Sequence, residues 1–163
     1  MKQLWAPWRL EYIKSADEET GCIFCAAVEG DDEERLVVRR GQNAIALLNK
    51  YPYSSGHFMV APVRHIAEFG ELDGEEVLEL HRLAADGMAA LGKLYAPHGY
   101  NVGWNLGRTA GAGVVDHVHL HVVPRWGGDT NFMPVLADVK VLPEHLAETR
   151  RRLAEAWPES LFY

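Results

Sequence analysis

His117-Val118-His119-Leu120-His121-Val122-Val123-Pro124-Arg125-Trp126 is the stretch on which the reading of this chain turns. Histidines alternate with apolar residues, which is the period of a β-strand, where successive side chains point to opposite faces. The three imidazoles therefore share one face, neighbours roughly 6.6 Å apart along the strand. Val118, Leu120 and Val122 turn the other way, into a core. Pro124 has no ladder donor and is expected to end the strand or place it at an edge. Packing gives no reason for three imidazoles on one face. A reactive or ligand-binding site does, because histidines with tunable protonation gather at such sites.

Outward from this stretch, residues 107–113 (GRTAGAG) form a glycine-rich turn that delivers the chain into the histidines. Its backbone N–H groups are placed to make an anion-binding nest. Residues 99–106 read as a strand. Residues 75–95 carry Val77, Leu80, Ala84, Met88, Leu91 and Tyr95 at helical spacing. Asp73 and Glu76 give that helix a capping-box start, and Pro97 and Gly99 end it. Earlier, residues 35–40 and 43–48 are β-rich runs separated by Gly41-Gln42, a hairpin. Residues 49–55 are a loop and 56–62 another strand. Beyond the histidines, residues 127–138 are irregular, and Pro143 opens a last helix with Leu146, Leu153 and Trp157 on one side. Strands, one long helix, two strands and a final helix predict an α+β sheet.

The chain has 163 residues, enough for one domain with a real core. Its apolar content of 48% is that of a globular protein, and no apolar run approaches a membrane span. The first residues lack the apolar centre of a signal peptide, so a cytoplasmic protein is expected. The net charge of −7 argues against broad binding to a nucleic-acid backbone, although one nucleotide can still be held by donors focused in a pocket. Residues 1–21 form an aromatic segment (Leu4, Trp5, Trp8, Tyr12) expected to dock on the body or on a partner subunit; residues 22–163 form a single domain.

A neutral imidazole in the middle of the triad can keep one ring nitrogen protonated against an acceptor and attack phosphorus with the other. Its neighbours can stabilise the charge that develops on phosphoryl oxygens. Cys22-x-x-Cys25 is half of a zinc site, and His65 is a candidate third ligand. A thioredoxin-like redox pair and two free buried thiols are the alternatives. His81, His98 and His145 read as surface or structural residues. Arg150-Arg151-Arg152 reads as a solvated helix face, with Glu148 and Arg152 a plausible i,i+4 pair. Trp126 is expected either to stack on a base or to pack on a partner subunit.

With these residues in view, the chain resembles the histidine triad (HIT) superfamily over roughly residues 22–126. The resemblance rests on the triad, on Asn49 before the loop to Gly56-His57, and on the turn from Asn105 to Gly113. The start Leu4-Trp5-Ala6-Pro7-Trp8-Arg9, Tyr51-Pro52-Tyr53 and the run from His121 to Phe132 look most like the bacterial branch with diadenosine tetraphosphate phosphorylases and hydrolases. The resemblance implies an antiparallel sheet with one long and one C-terminal helix, and a homodimer. It implies that His119 is the nucleophile and that His121 contacts the phosphate. His57 would lie beside the triad, Asn49 would bind ribose, and Asn105 with Gly111, Ala112 and Gly113 would hold phosphate. A structural zinc would sit on Cys22, Cys25, His65 and His117. Many relatives have a hydroxyl where this chain has Gly113, which leaves water, phosphate or an amine as second acceptor. The implied activity is nucleotidyl transfer from a dinucleoside polyphosphate through a nucleotidyl-histidine. The alternatives are a phosphoramidate hydrolase and a nucleotide-binding sensor with little turnover.

Overall fold

Residues Ala44–Leu48 (β2) and Phe58–Pro62 (β3) are buried at every position, which requires cover on both faces of their sheet. A computed structural model, which describes residues 21–129 and 144–159, shows how that cover is built. With Val37–Arg40 (β1), Gly99–Trp104 (β4) and Leu120–Arg125 (β5), these strands form an antiparallel sheet in the order β1-β2-β3-β5-β4. The expected α+β architecture is present. Residues 1–20, 130–143 and 160–163 lie outside the described part, and with them the aromatic N-terminal segment and Pro143.

Ile23–Glu29 (α1) precedes the sheet, Gly74–Tyr95 (α2) joins β3 to β4, and Leu146–Ala156 (α3) closes the chain. The helices α2 and α3 cover one face. There Ala46, Leu48, Phe58, Val60, Leu120 and Val122 meet Leu80, Leu83, Leu91, Leu153 and Trp157. Close contact is set at Gly87, where a Cβ would strike the Phe58 and Trp157 rings. The alternate residues Ile45, Leu47, Met59 and Ala61 face the other way, under Phe24 and Ala27 of α1.

The helix α2 starts as its sequence dictates. Asp73 accepts from the Glu76 N–H and Glu76 accepts from the Asp73 N–H, while Arg64 pairs with the same Glu76 carboxylate at 2.9 Å. It ends at Ala96, in the left-handed region. Val77 departs from the expected stripe and is half exposed.

One helix was not read from the sequence, and two expectations about the histidine strand need correction. The segment after Cys22 is a helix of about two turns; its seven residues are too few to show a period, and tertiary contacts through Phe24 and Ala27 hold it. The histidine strand begins only at Leu120, because pairing with β3 stops at Val60↔Leu120. Residues 117–119 instead run along the chain after β3, where the Val118 N–H donates to the Ile66 carbonyl at 2.7 Å. β5 is an interior strand and continues past Pro124. The proline is tolerated because β3 pairs only with residues 120–122.

The arginines of α3 are anchors. Arg150 donates to the Val37 carbonyl, and Arg152 pairs with Glu144 (not Glu148) and lies over the Tyr95 ring. Only Arg151, between Glu148 and Glu155, matches the expected solvated face. Among the described residues no helix is long and apolar enough to cross a membrane.

Candidate active site and metal centre

Backbone groups decide what each imidazole of the triad can do, because a carbonyl can only accept and an N–H can only donate. His119 Nδ1 lies 2.8 Å from the His117 carbonyl, so Nδ1 carries the proton and Nε2 keeps its lone pair. The ring is 4% exposed and rests on Phe24, centroids 4.7 Å apart. Burial holds its pKa below the ordinary histidine value, which keeps it neutral at pH 7.

A second chain of tautomers fixes His121. The Tyr53 N–H donates to His57 Nδ1 at 3.0 Å, so the His57 proton sits on Nε2. That nitrogen is 3.0 Å from His121 Nδ1 and donates to it. His121 therefore presents an Nε2–H. The Asn105 side-chain nitrogen stands 3.4 Å from the same Nε2. Two donors stand side by side there, an arrangement that suits adjacent oxygens of one phosphoryl centre. The His119 and His121 rings are 4.8 Å apart and meet edge to face, so the His119 lone pair and the His121 N–H border one space.

His117 is turned the other way. Its Nε2 lies 2.9 Å from the Pro62 carbonyl and donates to it, which leaves Nδ1 facing Cys22 Sγ at 3.2 Å and Cys25 Sγ at 3.8 Å. His65 Nδ1 is 3.2 Å from Cys25 Sγ. The four ligand atoms of Cys22, Cys25, His65 and His117 all lie within 4.8 Å of one another. Two sulfurs and two imidazole nitrogens are a donor set that suits tetrahedral zinc, and a second hydrogen bond orients the metal-facing nitrogen of His117. Burial pushes the Cys22 thiol up to about 11, so thiolates here call for a cation beside them. These residues fit a zinc ion.

α1 carries both cysteines, and Arg40 on β1 holds its far end. The guanidinium donates to the carbonyls of Ala27, Val28 and Gly30 and pairs with Asp32. These are orphan acceptors at a helix C-terminus, where positive charge is favoured. Sequence reading had no signal for this contact, since the partners are ten to thirteen residues apart with a turn between.

The remaining expected residues fall as follows. Asn49 is buried, and its side-chain oxygen accepts from the Tyr51 N–H at 2.8 Å, which shapes the loop leading to Gly56. In the glycine turn, Gly107 and Gly111 take positive φ. The N–H groups of Ala110 and Ala112 bond to the Gly107 carbonyl and that of Gly111 to Arg108. Gly111 and Ala112 thus use their donors inside the turn, so the nest expected from composition narrows to Gly113. The Trp126 indole N–H donates to the Tyr95 carbonyl at 3.2 Å. His98 is structural, accepting from the Gly127 N–H.

Comparison with known proteins agrees with this geometry. The HIT domain model matches residues 31–128. The chain is 41% identical over 165 residues to a protein of Mycobacterium tuberculosis named AP-4-A phosphorylase, covering 96% of this chain and 85% of that protein. It is 38% identical to an adenosine 5′-monophosphoramidase of Schizosaccharomyces pombe, over 64% of this chain and 74% of that one. Among solved structures, a Zn-bound histidine triad family protein from Mycobacterium smegmatis superposes with a TM-score of 0.65 at 26% identity, covering 84% of this chain and 93% of that one.

Proposed function

The chain belongs to the HIT domain family, and we propose that it transfers a nucleotidyl group from a dinucleoside polyphosphate through a covalent intermediate on His119. One observation carries this reading. The His117 carbonyl takes the Nδ1 proton of His119 and so frees Nε2, while His57 orients His121 to present an N–H beside it.

The first step follows from those two nitrogens. The His119 Nε2 lone pair forms a bond to the α-phosphorus, and the bond from phosphorus to the bridging oxygen breaks. Its electron pair leaves with the departing polyphosphate, whose oxygen accepts a hydrogen bond from His121 Nε2–H. The nucleotidyl-imidazole then carries positive charge, and its Nδ1–H stays on the His117 carbonyl, which stabilises it. Asn105 and the Gly113 N–H serve the non-bridging oxygens, and Asn49 the ribose. In the second step the acceptor attacks the same phosphorus and the P–N bond returns its pair to His119. Inorganic phosphate is the acceptor favoured by the named M. tuberculosis relative; with no hydroxyl at Gly113, the space there is left to it.

A zinc ion held by Cys22, Cys25, His65 and His117 would supply a structural tie between α1, the chain after β3 and the triad. It leaves His119 unmetallated. The assembly is a homodimer working in the cytoplasm. The S. pombe relative favours adenosine phosphoramidates as a second substrate class. Product analysis with diadenosine tetraphosphate, with and without phosphate, decides among these. ADP and ATP appearing only with phosphate supports phosphorolysis, AMP and ATP without it supports hydrolysis, and binding without turnover refutes the enzymatic reading.

A further inference from the structure

A groove of about 390 Å³ leads away from the reacting space along the open edge of the sheet. It starts at His121 and Asn105 and is walled by Tyr53 and Ser54 on the β2–β3 loop. Its far end is Arg125. The register explains the floor: Gly103 lies directly opposite His121, and Asn101 opposite Val123, on the two edge-side strands. A Cβ at Gly103 would meet no atom within 4 Å, so the glycine leaves the floor open right beside the imidazole.

Resting on the functional reading above, we propose that this groove binds the departing half of the substrate, a nucleoside polyphosphate. Three observations converge on that occupant. The tautomer chain through His57 aims the His121 N–H at the leaving oxygen, so whatever is bonded to that oxygen starts at the mouth of the groove. The groove runs from there for four strand residues, roughly 13 Å, a distance that a polyphosphate chain spans. At its end stands a fixed cation. Asp129 and Asn101 engage three of the Arg125 N–H groups, at 2.6, 3.0 and 2.7 Å, and so hold the guanidinium in place. A guanidinium has five such donors, so with three engaged among the described residues two are left to meet phosphate oxygens. The stacked pair Tyr53–His57 adds an aromatic wall, rings 5.0 Å apart and nearly parallel. The half of the substrate that stays on His119 has its own contacts at Asn49 and does not need this groove.

Filling the floor tests the assignment without touching the reacting imidazoles. Calorimetry would compare a methylene-bridged diadenosine tetraphosphate analogue, which cannot be cleaved, with AMP. Gly103→Val should weaken the analogue about tenfold or more and leave AMP within twofold. Gly103→Ser should do the same to a smaller degree, and serves if the valine variant does not fold. Arg125→Ala should weaken the analogue severalfold and lower the salt dependence of its binding. Unchanged affinity for the analogue, or equal losses for analogue and AMP, would overturn the proposal. Groove-dependent binding in a protein that never turns over dinucleotide would instead sink the catalytic reading and leave the subsite standing.

Discussion

His117 and His119 are two residues apart, both buried and both bonded to a backbone carbonyl, yet they are built for opposite tasks. On His117 the carbonyl of Pro62 takes Nε2, so Nδ1 is offered to two sulfurs. On His119 the carbonyl of His117 takes Nδ1, so Nε2 keeps its lone pair. The side chain is the same and the burial is similar. What differs is which ring nitrogen donates its N–H to a carbonyl. On the function proposed above, the triad is two sites sharing a backbone: a metal ligand at its first position, a nucleophile and an N–H donor at its second and third.

The sharpest way to break this contrast is to remove the nucleophile alone. His119→Ala should lower kcat for a dinucleoside polyphosphate by about 10³-fold or more, with zinc content and thermal midpoint nearly unchanged. Loss of zinc in that variant would mean that the two halves are not separable. The converse substitution, Cys22→Ser, should act on stability first. Zinc should fall from about one per chain towards none, and unfolding free energy by about 4 kcal/mol or more. Metal analysis of untagged wild-type protein showing no zinc would remove that half of the comparison.

A smaller effect is expected one layer out. Arg40→Ala uncaps α1 and should cost about 1 kcal/mol, weaken zinc retention against a chelator and spare kcat of the zinc-loaded protein. If retention is unchanged, α1 is held by its apolar face alone. The smallest effect is expected at the start of α2. Arg64 holds the Glu76 carboxyl below its usual value of 4.5, so the folded state binds fewer protons than the unfolded one near that pH. Its contribution to stability is present above about 4.5 and is lost as pH falls through the folded value. Glu76→Gln should therefore flatten acid unfolding below pH 5 and leave zinc and turnover alone.

The parts legible in the sequence were those set by local rules. Alternation put His119 and His121 on the face opposite Leu120 and Val122, and Asp73 with Glu76 marked the start of α2. The illegible parts depend on partners distant in the chain. Nothing near His117 shows that residues 117–119 leave the ladder, since that follows from where β3 stops pairing. The seven residues of α1 are held by Arg40 and by the sheet, not by a period of their own. Arg150 looks like a surface charge until Val37, 113 residues away, is seen to accept from it. In the glycine turn, the resemblance implied three phosphate-binding residues, and only the backbone path shows that the N–H groups of Gly111 and Ala112 serve the turn.

The central claim is that His119, and neither neighbour, becomes covalently bonded to the substrate's phosphorus. Wild-type protein mixed with diadenosine tetraphosphate, quenched at neutral or alkaline pH within a turnover and digested, can be mapped by mass spectrometry. A phosphoramidate is acid-labile, so a parallel acid quench should lose the modification. The account predicts an adenylyl group on the peptide containing residues 117–121, with fragment ions that place it on His119. An adenylyl group on His117 or His121, or none at any time during steady turnover, would contradict it.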